Sequence, residues 1–178
     1  MKLSRTDFKD LILISHEKYS DKRGYFKEIF RKNELEDILG YKINFCQENL
    51  AKSSYMVLRG LHFQKEPESQ SKLISVSEGK ILDIAVDIRK NSKTYGKYFS
   101  YILSSENNES LFIPAGFAHG YLTLSDYAVI SYKVDNYFNP LMESGIPYND
   151  NFLAIDWGVN ESDIIISEKD LNQDPFIW

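Results

Sequence analysis

Residues 80 to 88 read K-I-L-D-I-A-V-D-I, and apolar side chains alternate along this run as they do in a β-strand. One predicted face is wholly aliphatic, at positions 82, 84, 86 and 88. Asp83 and Asp87 share the opposite face with Ile81 and Ala85, because side chains two residues apart point the same way. The two carboxylates therefore either point to solvent or line a polar cavity, and this stretch predicts a strand with two different faces.

Short runs rich in Ile, Val, Phe and Tyr recur about every ten residues, with Gly, Asn, Ser and Pro between them. This spacing is typical of a sandwich or barrel, so a mainly β fold with few helices is expected. The predicted strands, besides 80 to 88, are Leu11–Ile14, Lys42–Gln47, Lys72–Val76, Lys97–Leu103, Ser110–Ile113, Gly120–Leu124 and Val129–Val134. A helix is predicted over Asn33–Gly40, with Asn33 as its cap, and the last twenty residues are predicted to be an irregular tail. Since no repeat or linker interrupts the pattern, residues 1 to 178 are predicted to form a single domain.

Composition excludes several classes of function. The chain has 178 residues, a net charge of -5 and a pI near 5.3, so no global positive field favours nucleic acid or an anionic membrane surface. No signal peptide and no apolar run of the ~18 residues that cross a bilayer are visible, which predicts a cytoplasmic protein. The single Cys46 excludes an internal disulfide and is expected to be a buried thiol. Aromatic residues reach 14%, which suits strand surfaces or ring-lined pockets.

Several common catalytic motifs are missing. The sequence contains no G-x-G-x-x-G, no phosphate-binding P-loop and no G-x-S-x-G elbow. It has three histidines, and Gln64 stands two residues after His62, where a metal-binding barrel would often carry a second imidazole. A metal site would need His119 or His16, and His16 is expected to be exposed, so no metal is predicted.

Chemistry-bearing side chains concentrate between residues 47 and 72. Arg59 is either a surface cation or a ligand contact, and its apolar neighbours favour an anionic ligand, since a guanidinium suits phosphate or carboxylate. Gly60 can turn the backbone tightly and re-aim His62. Outside this region, His119 is either a turn residue or a ligand contact. Tyr132, on spacing alone, is more typical of strand packing than of an acid.

In order along the chain, D-K-R-G-Y-F-K-E (21 to 28), Q-E-N-L-A-K-S (47 to 53), V-L-R-G-L-H-F-Q (57 to 64), D-I-A-V-D-I-R (83 to 89), L-F-I-P-A-G-F-A-H-G (111 to 120), S-Y-K-V-D-N-Y-F (131 to 138) and S-E-K-D (167 to 170) resemble the dTDP-4-dehydrorhamnose 3,5-epimerase family. The resemblance implies a cupin-type β jelly roll without a metal or other cofactor, and a homodimer that exchanges N-terminal strands. It also implies a dTDP-linked 4-keto-6-deoxyhexose substrate, epimerised at C3 and C5 through an enolate.

The resemblance assigns roles residue by residue. His62 matches the base and Asp170 the carboxylate that orients it; Tyr132 matches the acid, and Lys72 is the candidate for the enolate oxygen, assisted by Arg59. The substrate-binding positions implied are Arg23, Glu28, Gln47, Asn49, Arg59, Lys72, His119, Phe138, Glu143 and Lys169.

Two features leave alternatives open. Phe138 replaces a tyrosine that stacks on thymine in the family, so an enzyme that inverts only one carbon or uses a related nucleotide 4-keto sugar remains an alternative. A non-catalytic sugar-nucleotide-binding jelly roll and a metal-dependent cupin are further alternatives.

Overall fold

The computed structural model describes residues 1–177 and consists mainly of strands that form two sheets. The first sheet has the order β1-β2-β10-β7-β12-β5, and its strands are β1 (Lys2–Arg5), β2 (Ile12–Ser15), β5 (Gln47–Ser54), β7 (Lys72–Glu78), β10 (Glu109–Ile113) and β12 (Tyr127–Val134). The second has the order β13-β6-β11-β8-β9, and its strands are β6 (Val57–Gln64), β8 (Lys80–Asp87), β9 (Tyr98–Ser104), β11 (Phe117–Thr123) and β13 (Glu143–Gly145). The hairpin of β3 (Lys18–Asp21) and β4 (Gly24–Lys27) stands apart.

The two sheets pack against each other through one inner core. Ile74 and Ile130 from the first sheet and Ile81 and Phe117 from the second belong to the same buried cluster. Because both sheets bury a face in this cluster, their polar inward residues meet in the space between the sheets. The expected jelly-roll class is confirmed by this architecture.

Each sheet also has a covered outer face. Helix α1 (Lys32–Leu39) packs Leu35 and Leu39 on the first sheet, where Phe112 is fully buried. This helix matches the predicted one and ends at Gly40, whose φ of 79° is left-handed, but its N-cap is Arg31 and not Asn33. On the second sheet, Trp157 and neighbouring residues of the C-terminal segment cover the aliphatic face of β8.

Because β8 is covered on both sides, both of its carboxylates are buried, so the solvent-facing alternative is wrong. Asp83 accepts a hydrogen bond from Nε2 of His119 at 2.9 Å. Asp87 forms an ion pair with Nη2 of Arg89 at 2.7 Å and accepts a hydrogen bond from Thr94. Buried charges need such partners, and both aspartates have them.

Several strand predictions were wrong. Residues 42 to 46 form no strand; Ile43 and Phe45 join the outer cluster beneath α1, and pairing with β12 begins at Cys46, which is only half-buried. Val57–Gln64 is a full strand, although its polar residues concealed the alternation. Sequence reasoning also missed β1 and the hairpin, and it placed the start of β11 at Gly120 in place of Phe117.

The C-terminal segment is more regular than expected. It contains a 3₁₀ turn (Glu161–Asp163), β14 (Ile165–Ile166), which pairs in parallel with β6, and α2 (Glu168–Leu171). Trp178, the last residue of the predicted domain, lies outside the described residues, and the single-domain assignment stays a prediction. In residues 1–177 we find no helix long and apolar enough to cross a membrane.

His16 is buried, which corrects the expectation that it is exposed. Its Nε2 lies 2.8 Å from Oγ of Ser110, on a strand 94 residues away in sequence. A polar local sequence did not reveal this distant partner.

Candidate active site

A cavity of about 310 Å³ opens between the two sheets. Its lining combines acids, cations, imidazoles and phenols, and consists of Ala51, Arg59, His62, Lys72, His119, Tyr121, Ile130, Tyr132, Ser167, Lys169 and Asp170. Seven of these are among the thirteen residues that the resemblance singled out, and they come from both sheets and from α2. Chain folding thus collects residues that lie far apart in sequence.

His62, on β6, is held by Asp170 of α2. Nε2 of His62 lies 2.7 Å from Oδ1 of Asp170, while the other carboxylate oxygen accepts a hydrogen bond from the backbone N–H of Gly60 at 3.2 Å. Burial alone would raise the pKa of Asp170, but these hydrogen bonds, chiefly that of His62, lower it below its ordinary value. Asp170 is therefore a carboxylate, and it fixes the orientation of the ring.

Ser167 sets the position of Asp170. It caps α2 and accepts a hydrogen bond from the Asp170 backbone N–H at 3.1 Å. An N-cap hydroxyl satisfies a backbone donor that the first turn of a helix leaves free. This short helix, which sequence reasoning read as an irregular tail, is what delivers the carboxylate to the cavity.

Gly60 allows β6 to pass close to β11. Its φ is 122°, and a Cβ at this position would lie 2.5 Å from Cα of Gly120 and 2.8 Å from the carbonyl oxygen of His119. Only glycine fits such a close backbone approach. Gly60 lies within β6 and not in a tight turn, although its positive φ is a conformation that favours glycine; its effect on the direction of His62 stays a prediction.

Lys72, the first residue of β7, is buried, and its Nζ donates a hydrogen bond to the carbonyl oxygen of His62 at 3.2 Å. Burial lowers the pKa of its ammonium to about 8, although the charges of Asp83 and Glu143 oppose this shift. A cation is thus kept in the cavity wall next to the His62 strand at neutral pH.

Tyr132 faces the cavity from β12, in the sheet opposite to that of His62. Burial and the charge of Glu143 raise the pKa of its phenol, while Arg59 has the opposing effect. The phenol is therefore protonated at neutral pH and can donate a proton.

Arg59 is oriented by a hydroxyl of the first sheet. Its Nε donates a hydrogen bond to Oγ of the buried Ser53 at 3.0 Å, and that oxygen lies 3.1 Å from the hydroxyl of Tyr121. Burial raises the pKa of Tyr121. Arg59 also lines the first cavity, where a guanidinium suits an anionic ligand.

His119 is paired with the buried Asp83 through the 2.9 Å contact described above, and this carboxylate orients its ring. His119 lies opposite His62 in the register of β11 and β6, so both imidazoles enter the same cavity wall. Oδ1 of Asp83 has no hydrogen-bond partner among residues 1–177.

A second cavity of about 240 Å³ shares His62, Lys72 and Tyr132 with the first. Its other lining residues are Gln47, Asn49, Phe63, Gln64, Gln70, Phe138 and Glu143. Glu143 forms an ion pair with Lys169 at 2.6 Å, which links this cavity to α2. The two cavities are therefore neighbours, and together they are lined by eleven of the thirteen predicted residues.

Arg23 and Glu28 lie outside both cavities. Arg23 sits at the hairpin turn, where its side chain is 85% exposed and pairs with Asp21 at 2.6 Å. Glu28 pairs with Arg31 at 2.8 Å. Within one chain, the fold does not bring these two residues to the site, and their role stays a prediction.

Comparisons with known proteins agree with this architecture. The family model described as dTDP-4-dehydrorhamnose 3,5-epimerase matches residues 5–177. The chain belongs to this family. An Escherichia coli K12 protein named dTDP-4-dehydrorhamnose 3,5-epimerase is 45% identical over 170 residues, which cover 96% of this chain and 91% of that protein. The resemblance predicted from sequence motifs is therefore confirmed.

Solved structures of this epimerase family superpose over nearly the whole chain. The dTDP-4-dehydrorhamnose 3,5-epimerase of Elizabethkingia anophelis NUHP1 has a TM-score of 0.94 and 46% identity, covering 99% of this chain and 96% of its own. An epimerase from Legionella pneumophila, solved in complex with dTDP-4-keto-L-rhamnose, has a TM-score of 0.92 and 41% identity, covering 98% and 92%.

This member of the epimerase family contains site residues that sequence reasoning missed. Tyr121 shares a strand face with His119, a parity that could have revealed it. Ser167 lies in the S-E-K-D motif and Gln70 in the polar region between residues 47 and 72, but neither was predicted to line the site. In residues 1–177, no group of three or more His, Cys, Asp or Glu side chains could hold a metal ion.

Proposed function

We propose that this chain epimerises dTDP-4-dehydro-6-deoxy-D-glucose at C3 and C5, which yields dTDP-4-dehydro-L-rhamnose. The observation that carries the proposal is that His62 and Tyr132 come from opposing sheets and line one cavity, which Lys72 lines as well. Inversion of a carbon needs a base on one side and an acid on the other. Family membership and the ligand of the Legionella relative support this substrate.

In the proposed mechanism, His62 removes a proton from the carbon next to the ketone. Its Nε2 is occupied by Asp170, so Nδ1 is the atom that accepts the proton. The electron pair of the broken C–H bond moves onto the ketone oxygen and forms an enolate. The ammonium of Lys72 stabilises this oxygen, and the Asp170 carboxylate stabilises the imidazolium.

Tyr132 then protonates the same carbon from the opposite face, and the carbonyl re-forms. Burial raises the pKa of Tyr132, but the positive charge of Arg59 opposes this rise and so favours the phenolate that remains. His62 then releases its proton to solvent and the Tyr132 phenolate takes one up, which resets the base and the acid. The same two steps at the second carbon then invert that centre as well. The reaction changes configuration and not oxidation state, so it requires no redox cofactor.

We propose that the nucleotide lies in the second cavity and the sugar in the first. Phe138 offers a ring face for the base, and Gln47 and Asn49 offer amides. Arg59 and Lys169 supply positive charge for the diphosphate, with His119 contacting the sugar end. A few local cations thus hold an anionic substrate in a chain of net charge -5.

We further propose that the protein is cytoplasmic and forms a homodimer. The β3–β4 hairpin exposes Tyr19, Tyr25 and Phe26, which suits it to packing against a second copy. If the two copies exchange their N-terminal strands, as the family resemblance implies, the partner's Arg23 and Glu28 would reach this chain's site. Light scattering measures whether the chain is a dimer. Arg23→Ala is expected to weaken substrate binding while the dimer stays intact.

Incubation with dTDP-4-dehydro-6-deoxy-D-glucose in deuterated water tests the activity. We expect deuterium at both C3 and C5, detected by NMR and mass spectrometry. Label at one carbon would instead support the mono-epimerase, and no label would support a non-catalytic binding protein. Activity that depends on stoichiometric metal and is lost on chelation would overturn the proposal.

A further inference from the structure

Two loops frame the Phe138 end of the second cavity: residues 65–71, between β6 and β7, and residues 135–142, between β12 and β13. Side-chain amides join them. Nε2 of Gln70 donates to the carbonyl oxygen of Asn136 at 2.7 Å, and Nδ2 of Asn136 donates to that of Ser69 at 2.7 Å. The two loops are therefore a single hydrogen-bonded unit.

Gln64, the last residue of β6, anchors this unit to the barrel. It is only 5% exposed, and its Nε2 donates to the carbonyl oxygens of Glu68 at 2.7 Å and Tyr137 at 3.2 Å. Its Oε1 accepts a hydrogen bond from the backbone N–H of Asn139 at 2.7 Å. One buried amide thus binds both loops and holds the residues on either side of Phe138.

Phe138 itself is not held by core packing, because the residue is 53% exposed. Its backbone N–H donates to Oε1 of Gln47 at 3.0 Å. The direction of the ring therefore depends on backbone contacts at residues 137, 138 and 139, two of which end on Gln64. The three backbone partners of Gln64 are one N–H donor and two carbonyl acceptors. A side-chain amide matches them, because it carries one acceptor oxygen and an NH₂ group that donates twice.

We propose that Gln64 is a positioning residue for nucleotide binding: by fixing the backbone on both sides of Phe138, it sets the ring face on which the base stacks. This inference rests on the proposed function, in which Phe138 meets the base. Gln64 follows His62 by two residues on the same strand, so one strand sets both the base-stacking end and the proton-transfer end of the site. The spacing of these two residues along β6 therefore sets the distance between the nucleotide and sugar subsites.

Gln64→Met tests the proposal, because methionine has a similar length, is neutral and forms none of the three hydrogen bonds. We expect the Kd for dTDP, measured by calorimetry, to rise about tenfold, while kcat at saturating substrate changes by less than about twofold. Hydrogen exchange at the amides of residues 137 to 139 is expected to accelerate. Gln173→Met, in the C-terminal segment beside Gly145, is the matched control and should leave the Kd unchanged.

A double-mutant cycle with Phe138→Leu separates positioning from general destabilisation. If Gln64 acts through the ring, Gln64→Met adds less than about twofold to the loss caused by Phe138→Leu. The inference would be overturned if the fold-increase in Kd of the double variant equalled the product of the two single increases. An unchanged Kd in Gln64→Met would also overturn it. If Gln64→Met does not fold, Gln64→Glu, which cannot donate when ionised, is measured with uncharged thymidine against the same expectation.

The wild-type chain distinguishes this inference from the proposed function. Wild-type binding of dTDP without deuterium exchange into the sugar would defeat the epimerase activity and leave the role of Gln64 standing. Exchange in the wild type with an unchanged Kd in the variant would defeat the role of Gln64 alone. Absence of dTDP binding by the wild type would overturn both.

Discussion

Nε2 of His62 lies 2.7 Å from Oδ1 of Asp170, although 108 residues separate them in sequence. The carboxylate is buried and is also bonded to the backbone of Gly60, so it cannot rotate away from the ring without losing a second hydrogen bond. A buried carboxylate in this position stabilises the protonated form of the imidazole and selects one tautomer of the neutral form. The pair is therefore suited to accept a proton at Nδ1.

Asp170→Asn is expected to reduce kcat by about 10²–10⁴-fold. The asparagine amide can donate to Nε2, and the ring proton then moves to Nδ1, where it blocks proton abstraction. Steady-state kinetics measure kcat, and calorimetry with dTDP is expected to show a Kd within about twofold of the wild type. A variant with kcat close to wild type would contradict the orienting role of Asp170.

Tyr132→Phe is expected to separate proton exchange from inversion. Removal of the phenol leaves the His62 side intact, so deuterium can still enter at C3 and C5 on the original face. We expect epimer formation to fall by about 10²–10⁴-fold while exchange without inversion persists, as NMR of the recovered sugar will show. Full inversion by this variant would remove Tyr132 from the acid role.

Lys72 predicts an alkaline limit to activity. Its ammonium is needed to stabilise the enolate oxygen, and the fraction that is charged falls as the pH rises through its pKa of about 8. We expect kcat/KM to decline above about pH 8. The phenol of Tyr132 cannot cause this decline, because its pKa is raised above the ordinary value of ~10.

Asp83→Asn is the control for that assignment. The charge of Asp83 raises the pKa of Lys72 against the effect of burial, so its removal lowers that pKa further. The alkaline limb of kcat/KM is then expected to move to lower pH, with the direction measured from a pH–rate profile. A limb that stays in place would mean that another group titrates there.

Gly60→Ala is expected to destabilise the fold severely, because the new Cβ would clash with the backbone of β11. Gly24 has a similar φ of 126° but no atom within 4 Å of an added Cβ, which makes Gly24→Ala the matched control. We expect a loss of about 1–3 kcal/mol in the free energy of unfolding for Gly24→Ala and more than about 4 kcal/mol for Gly60→Ala. Urea denaturation measures both, and equal losses would contradict the close approach of the strands.

Most strands could be predicted from sequence because alternation is a local property. The run from 80 to 88 and the helix that ends at Gly40 were both recognisable from side-chain type alone. Val57–Gln64 escaped this reasoning because functional side chains interrupt its alternation. The site residues were predicted through a family resemblance of their motifs, and periodicity alone left Tyr132 as strand filler.

The sequence by itself determined the β class, the acidic balance and the set of polar residues that a site could use. The tertiary structure alone decided which of them meet: it buried Asp83 and His16, brought Asp170 to His62, and left Arg23 on an exposed hairpin. The physical reason is that burial and hydrogen bonding depend on what covers a residue. In a jelly roll, that cover comes from strands and loops distant in the chain, and local sequence carries little information about it.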